Sequence, residues 1–227
     1  MTEIFTSAFW DQYGALLVKE SWNTLIMLGV STVFAYVIGL PLGVLLVLTG
    51  EHGIRPHRWF NRVLGWVINI GRSLPFMILM CSITGFTKAI VGTFIGVRGA
   101  IVPLVVSAAP FIARMVETSL LEVDAGVVEA AQSMGASTSQ IVRKVYLPEA
   151  VPSLILGGSI SIITILAYTA IAGAIGAGGL GDLALRYGYQ RKVQSVNLIT
   201  IILLIVLVQI VQSVFSWLST KVDKRLR

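Results

Sequence analysis

Long runs without a single charged residue dominate this chain. A helix rising 1.5 Å per residue needs about 20 apolar residues to cross a hydrocarbon core about 30 Å thick, and five stretches approach or exceed that requirement. They are Asn23 to Leu48, Val63 to Thr87 with only Arg72 interrupting it, Gly99 to Ala113, a stretch opening near Pro148, and Val193 to Thr220. The third is short, so it must extend past Arg98 and Arg114, whose side chains are expected to snorkel toward the interfaces. The fourth stays uncharged from Ala150 to Gly181, too long for one span, and the glycine-rich run from Gly173 is expected to end its helix. With 56% hydrophobic and 12% charged residues and a mean hydropathy of +0.85, the chain has the bilayer as its solvent. The predicted fold class is an all-α membrane protein of five transmembrane helices. The spans fall at about 23–48, 63–87, 98–118, 149–172 and 194–218, within a membrane domain of residues 20–218.

An odd number of spans puts the termini on opposite sides, and the basic residues choose the orientation. The loop after the first span carries Arg55, Arg58 and Arg62, the loop after the third carries Arg114, Arg143 and Lys144, and the tail carries Lys221, Lys224, Arg225 and Arg227. These ten face six on the other side: Lys19, Lys88, Arg98, Arg186, Arg191 and Lys192. The bias places the N-terminus outside and the C-terminus in the cytoplasm, with residues 1–19 as an extracytoplasmic segment and 219–227 as a cytoplasmic tail. The net charge of +6 therefore reads as membrane orientation and not as a nucleic-acid surface. The acidic start (Glu3, Asp11) and the long first apolar run do not fit a cleaved signal peptide. The single Cys81 leaves no disulfide framework or metal cluster to consider.

About 35 residues separate Ala113 from Pro148, and they read as two short helices. Asp124 is positioned to cap a helix from about Ala125, with Val127, Ala131 and Met134 on one face and Gly135 as a left-handed stop. Ser137 and Gln140 make a capping box that opens a second helix carrying Ile141 and Val145 on one face, with Arg143 and Lys144 near its end. Leu147 is expected to leave the helical region ahead of Pro148, which then suits the first turn of the fourth span.

Glu129, Ala130 and Ala131, then Gly135, Val145, Leu147 and Pro148, resemble the conserved-spacing loop of importer-type ATP-binding-cassette permeases: E-A-A, three residues, G, nine residues, I, one residue, L-P. Only Val145, in place of Ile, departs from it. Small alanines let a helix sit deep in a groove, and a glycine turn presents it. The resemblance implies the type I importer permease fold, with residues 124–146 as a coupling-helix pair docked in a cleft of the ATPase subunit. Further segments, Arg72–Phe76 (RSLPF), Val91–Gly96 (VGTFIG), Ile101–Glu117 (IVPLVVSAAPFIARMVE) and Ala170–Tyr189, resemble the permeases of bacterial methionine importers. That likeness implies an inner-membrane homodimer forming the amino-acid pathway, two ATP-binding-cassette ATPase subunits, and an extracytoplasmic solute-binding lipoprotein. ATP and Mg would be bound by the partner ATPase; this chain has no GxxxxGK[ST] loop, no expected catalytic residue and no cofactor of its own.

Individual residues carry open alternatives. Arg72, a charge deep in a span, faces either the dimer pathway beside the break expected at Pro75 or the cytoplasmic interface. Gly176, Gly178, Gly179 and Gly181 fit GxGxxG, but no strand precedes them, so nucleotide binding is rejected. They form either a flexible segment that is part of an outer gate or receives the binding protein, or a structural turn. Met77, Met80, Met115 and Met134 suit gap-filling better than contact with a thioether substrate. His52 and His57 lack the partners of a metal site. Glu117, Glu122, Asp124, Glu129 and Glu149 read as helix-start charges and a complement to basic residues on the ATPase. Three rival functions are an intramembrane enzyme, a channel or ion-coupled carrier, and a scaffold subunit. The first lacks catalytic motifs and the second lacks acidic residues at mid-membrane, while binding of a separate ATPase discriminates all three. Another amino acid or small solute remains the alternative substrate.

Overall fold

The computed structural model describes residues 7–222; Glu3, Lys224, Arg225 and Arg227, which entered the sequence reading above, lie outside the described residues. The elements are all helical: α1 (Ser7–Thr49), α2 (Arg58–Ser73), α3 (Phe76–Ser82), α4 (Thr84–Val91), α5 (Gly96–Leu121), α6 (Ala125–Ser133), α7 (Thr138–Ile141), α8 (Leu147–Glu149), α9 (Val151–Ala172), α10 (Gly179–Leu183) and α11 (Gln194–Val222). Wide π turns fill Val142–Tyr146, Gly173–Ala177 and Ala184–Gln190. Four helices are long and apolar enough to cross a membrane, and the bent pair α2 and α3 makes a fifth span if taken together.

Two expected spans differ. The first helix begins at Ser7 and not near Asn23, because no proline or glycine pair interrupts the polar lead-in. Its 43 residues extend about 64 Å, roughly twice the hydrocarbon thickness. The second span is not one helix across 63–87. The chain bends by 100° between α2 and α3. Pro75, at φ −57° and ψ 131°, supplies no N–H to the ladder and pushes Leu74 out of the helical region. At the other end of the chain, α11 carries its helix through to Val222, so residues 219–222 are helical.

The chain divides into two compact units, Met1–Phe34 with Leu74–Ser107 and Ile162–Val211, and Ala35–Ser73 with Ala108–Ser161 and Gln212–Arg227. In the first, Met27, Phe76, Met80, Ala100, Leu104, Ala172 and Ala177 form one buried cluster, and Phe9, Leu17, Leu180, Leu183 and Val196 another. Phe76 stacks on Tyr168 at 4.7 Å with the rings 7° from parallel. In the second, Leu46, Ile68 and Ala113 form the core. There α1 and α5 meet backbone to side chain: a Cβ on Gly39 would lie 2.8 Å from the Ala109 carbonyl oxygen, and one on Gly43 2.5 Å from that of Ala113. Small residues at this spacing let membrane helices approach closely.

Candidate functional site

The segment between α5 and α9 folds from its own local signals. The Asp124 carboxylate accepts from the Gly126 and Val127 backbone N–H groups at 2.7 and 3.3 Å, closing the open end of α6. Gly135 sits at φ +78°, which ends the helix, and its N–H donates to the Gln132 carbonyl. The capping box forms as expected: Ser137 N–H donates to Gln140 Oε1 at 2.8 Å, and Gln140 N–H donates to Ser137 Oγ at 3.4 Å.

The faces of α6 differ from expectation. Val128 and Ala131 turn inward and are buried, whereas Val127 is 46% exposed and Met134 82% exposed. Glu129 and Ala130 are exposed as well. The expected stripe of Val127, Ala131 and Met134 splits because α6 rests on the protein by one edge of its apolar arc. Ala131 and Val128 lie at that edge, and residues at i, i+3 and i+7 (Val127, Ala130, Met134) are left as an unpartnered apolar ridge. The sequence therefore placed Val127 and Met134 on one face but wrongly grouped the buried Ala131 with them.

A second correction concerns Leu147. It stays helical, at φ −64° and ψ −46°, and its N–H reaches back five residues to the Val142 carbonyl. The π turn at Val142–Tyr146 widens the ladder, so Pro148 enters without the backbone clash that an ideal helix would impose. Within this turn Ile141 and Tyr146 are buried, Arg143 and Lys144 are exposed, and burial raises the Tyr146 hydroxyl above its ordinary pKa.

Arg114 does not snorkel. One terminal nitrogen pairs with Glu117 at 2.6 Å, and the other donates to the Gly65 carbonyl at 3.1 Å and Asn69 Oδ1 at 3.0 Å, tying α5 to α2. A carboxylate one turn away, a carbonyl and an amide oxygen hold the two terminal nitrogens inside the protein, while Nε is buried without a partner. Arg72, by contrast, is exposed in the last turn of α2, where its charge complements the helix C-terminus. Pro75 begins the next helix beside it.

The glycine-rich segment is closely packed and held by hydrogen bonds to α1. Gly176, Gly178 and Gly179 all take positive φ, at +97°, +79° and +82°, and Gly181 packs so closely that a Cβ there would lie 2.3 Å from the Ala170 carbonyl oxygen. Two α1 side chains secure the turn. Glu20 Oε2 accepts from Gly179 N–H at 2.6 Å and from Asn23 Nδ2 at 3.0 Å, and Thr24 Oγ1 accepts from Leu180 N–H at 2.8 Å while donating to the Glu20 carbonyl. Glu20 is only 5% exposed and Thr24 2%. Asp182 pairs with Arg186 at 2.6 Å in the following turn. Sequence reasoning passed over Glu20 and Thr24. The available signal was that Glu20 is the sole carboxylate between Asp11 and Glu51, a stretch mostly given over to an apolar helix.

Against this geometry, the model of the family described as binding-protein-dependent transport system inner membrane component matches residues 36–227. The chain belongs to that family. It is thus a membrane permease subunit of an ATP-binding-cassette importer and not itself the ATPase, and its helical fold is that of type I importer permeases. The permease is 51% identical to the probable D-methionine transport system permease protein MetI of Vibrio cholerae over 176 residues, 78% of each chain. A solved structure of the MetNI methionine ABC transporter, in an inward-facing conformation, contains a chain that matches the permease with a TM-score of 0.92 and 46% identity. The match covers 93% of this chain and 98% of that one. A crystal structure of an amino acid ABC transporter with histidines matches at a TM-score of 0.77, covering 95% of this chain and 98% of that one. Its 18% identity supports the fold alone.

Proposed function

We propose that this permease forms the translocation pathway of an ATP-driven importer for methionine, accepting both stereoisomers. It works as a homodimer with two ATP-binding-cassette ATPase subunits, fed by an extracytoplasmic solute-binding lipoprotein. The observation that carries the reading is the free apolar ridge of Val127, Ala130 and Met134 on α6, held rigid by the Asp124 cap, the Gly135 stop and the capping box that follows. A short rigid helix with an unpartnered ridge of small and flexible side chains suits insertion into a groove of another protein. Glu129, Ala130, Ala131, Gly135, Leu147 and Pro148 make up this docking element. Ala131 contributes from its buried edge, and Leu147 and Pro148 join the element to α9. The abundance of methionine-importer relatives at about half identity supports the substrate assignment.

In this reading the basic loops and tail face the cytoplasm and the N-terminus lies outside. ATP and Mg bind to the partner ATPase; closure of the two ATPase subunits carries the α6 elements with it, and the permease dimer alternates the side on which it is open. Arg72 and Pro75, at the bend, border the pathway. Gly176, Gly178, Gly179 and Gly181 belong to an outer gate that moves as a rigid turn. The decisive experiment is reconstitution with the ATPase and binding lipoprotein, followed by uptake of labelled amino acids in competition across a panel. Strong competition by L- and D-methionine is expected. Failure of the chain to bind an ATPase through residues 124–146, or methionine uptake no greater than that of other amino acids, overturns the assignment.

A further inference from the structure

Met134 takes almost no part in packing the protein, and its sulfur offers chemistry beyond filling space. It is 82% exposed, more than any other large apolar side chain among the described residues. It stands at the end of α6, where its backbone N–H donates to the Ala130 carbonyl, and the neighbouring Gly135 has nothing within 4 Å of the position a Cβ would take. The thioether is open to water.

Its position separates it from the other methionines. Met27 and Met80 are buried, Met115 is half-buried and Met77 is exposed, but all four belong to helices long and apolar enough to cross a membrane, α3 counted together with α2. Among the described methionines Met134 alone lies outside such helices, on an element that also exposes Glu129, Arg143 and Lys144. A dissolved peroxide meets this sulfur directly. The same side chain is the largest member of the free ridge of Val127, Ala130 and Met134, so a change in its polarity alters the face that is to enter a partner's groove.

We propose that Met134 is a modification site, oxidised by hydrogen peroxide to the sulfoxide, and that the modified ridge no longer takes the ATPase. One peroxide oxygen passes to Sδ as the O–O bond breaks; the sulfur is oxidised, the peroxide is reduced, and the other oxygen leaves as water with both protons. The product is a polar, chiral side chain, and a methionine sulfoxide reductase with its thiol reductant returns the thioether. In a groove that fits apolar side chains the sulfoxide oxygen is buried without a donor, which is unfavourable. This proposal rests on the docking reading above and adds a control on it: the ridge is oxidised while free and shielded once seated.

The experiment treats the purified permease in detergent with hydrogen peroxide, removes the peroxide with catalase, and adds dithiothreitol to reverse oxidation at the exposed Cys81, the only cysteine in the chain. Untreated ATPase is then titrated in, while peptide mass spectrometry follows the sulfoxide at Met134 and Met77. Conversion of Met134 is expected to weaken ATPase binding at least about five-fold, the lower end of what an unpaired buried oxygen costs, and the reductase is expected to restore it. Met134→Leu is read as the ratio of its affinity after peroxide to its own affinity before, and that ratio is expected to be unchanged. A Met134→Leu protein that loses as much affinity as the natural one overturns the proposal, as does a natural protein fully converted at Met134 that binds as before. Treating the assembled complex in the same way separates the two readings. If Met134 converts more slowly in the complex but the converted permease binds as before, only the modification fails. If it converts equally fast in the complex and in the free permease, α6 does not dock and the underlying reading fails first.

Discussion

The Glu20 carboxylate accepts a 2.6 Å hydrogen bond from the Gly179 backbone N–H, joining the N-terminal half of α1 to the first residue of α10 across 159 positions of sequence. With Glu20 only 5% exposed, this is a charge-assisted bond made away from water. Glu20→Ala strands the Gly179 donor and is expected to destabilise the purified permease by about 1.5–3 kcal/mol, read as a lower melting temperature in detergent. Glu20→Gln keeps an oxygen acceptor and should lose less. Equal melting temperatures for all three proteins would remove this bond from the list of what holds the turn.

Gly179 combines a positive φ of +82° with a Cβ position 2.7 Å from Thr24 Oγ1 and 2.8 Å from Met27 Cε. Gly179→Ala therefore meets both a strained backbone and a side-chain collision, and a loss of at least about 1 kcal/mol is expected. Gly92, also at positive φ but with open space around its Cβ position, is the control: Gly92→Ala should be milder. Thermal unfolding of the two variants side by side decides the point.

Gly135, at φ +78°, connects α6 to α7 in the element proposed to dock and donates its N–H to the Gln132 carbonyl. Gly135→Pro demands a negative φ and deletes that donor. ATP hydrolysis by the reconstituted complex is expected to continue while uptake collapses, because the ridge on α6 is no longer presented rigidly. Unimpaired uptake with Gly135→Pro speaks against the docking role.

Arg114 and Glu117 are largely buried, with side chains 23% and 19% exposed. Removing one partner leaves the other charge without its counterion, so Arg114→Met is expected to be destabilising by about 3 kcal/mol, near the low end for a buried pair. Arg114→Met combined with Glu117→Gln should recover part of the loss. A double-mutant cycle on melting temperature measures the coupling, and simple additivity would mean that the pair contributes nothing.

Arg72 is exposed at the bend, and among the described residues no carboxylate pairs with it. If it borders the pathway, Arg72→Met leaves assembly with the ATPase intact and lowers uptake. Full transport with normal assembly would assign the residue to the interface with lipid or water instead.

How much of this was legible in advance depends on the range of the interactions involved. The Asp124 cap, the Gly135 stop and the Ser137–Gln140 box are contacts within four residues, and each was readable from residue types at fixed spacing. The break at Pro75 was readable for the same reason, since a missing N–H is a local fact. The extent of α1 was not, because an apolar window reports where lipid begins and a helix does not stop there. Leu147 was misjudged because the rule for residues before proline assumes an α-helical ladder, and a π turn relaxes it.

The sequence by itself determined the solvent of this protein, the number of apolar runs, and the two capped helices between α5 and α9. Hydrophobicity and helix capping act over one or two turns, so a linear reading captures them. Only the tertiary structure decided which edge of α6 is free, that Arg114 turns inward to Gly65 and Asn69, and that Glu20 and Thr24 hold the glycine-rich turn. Those outcomes depend on which distant backbone groups arrive without partners once the helices pack, and a buried donor or acceptor takes whatever complementary group the fold brings within about 3 Å.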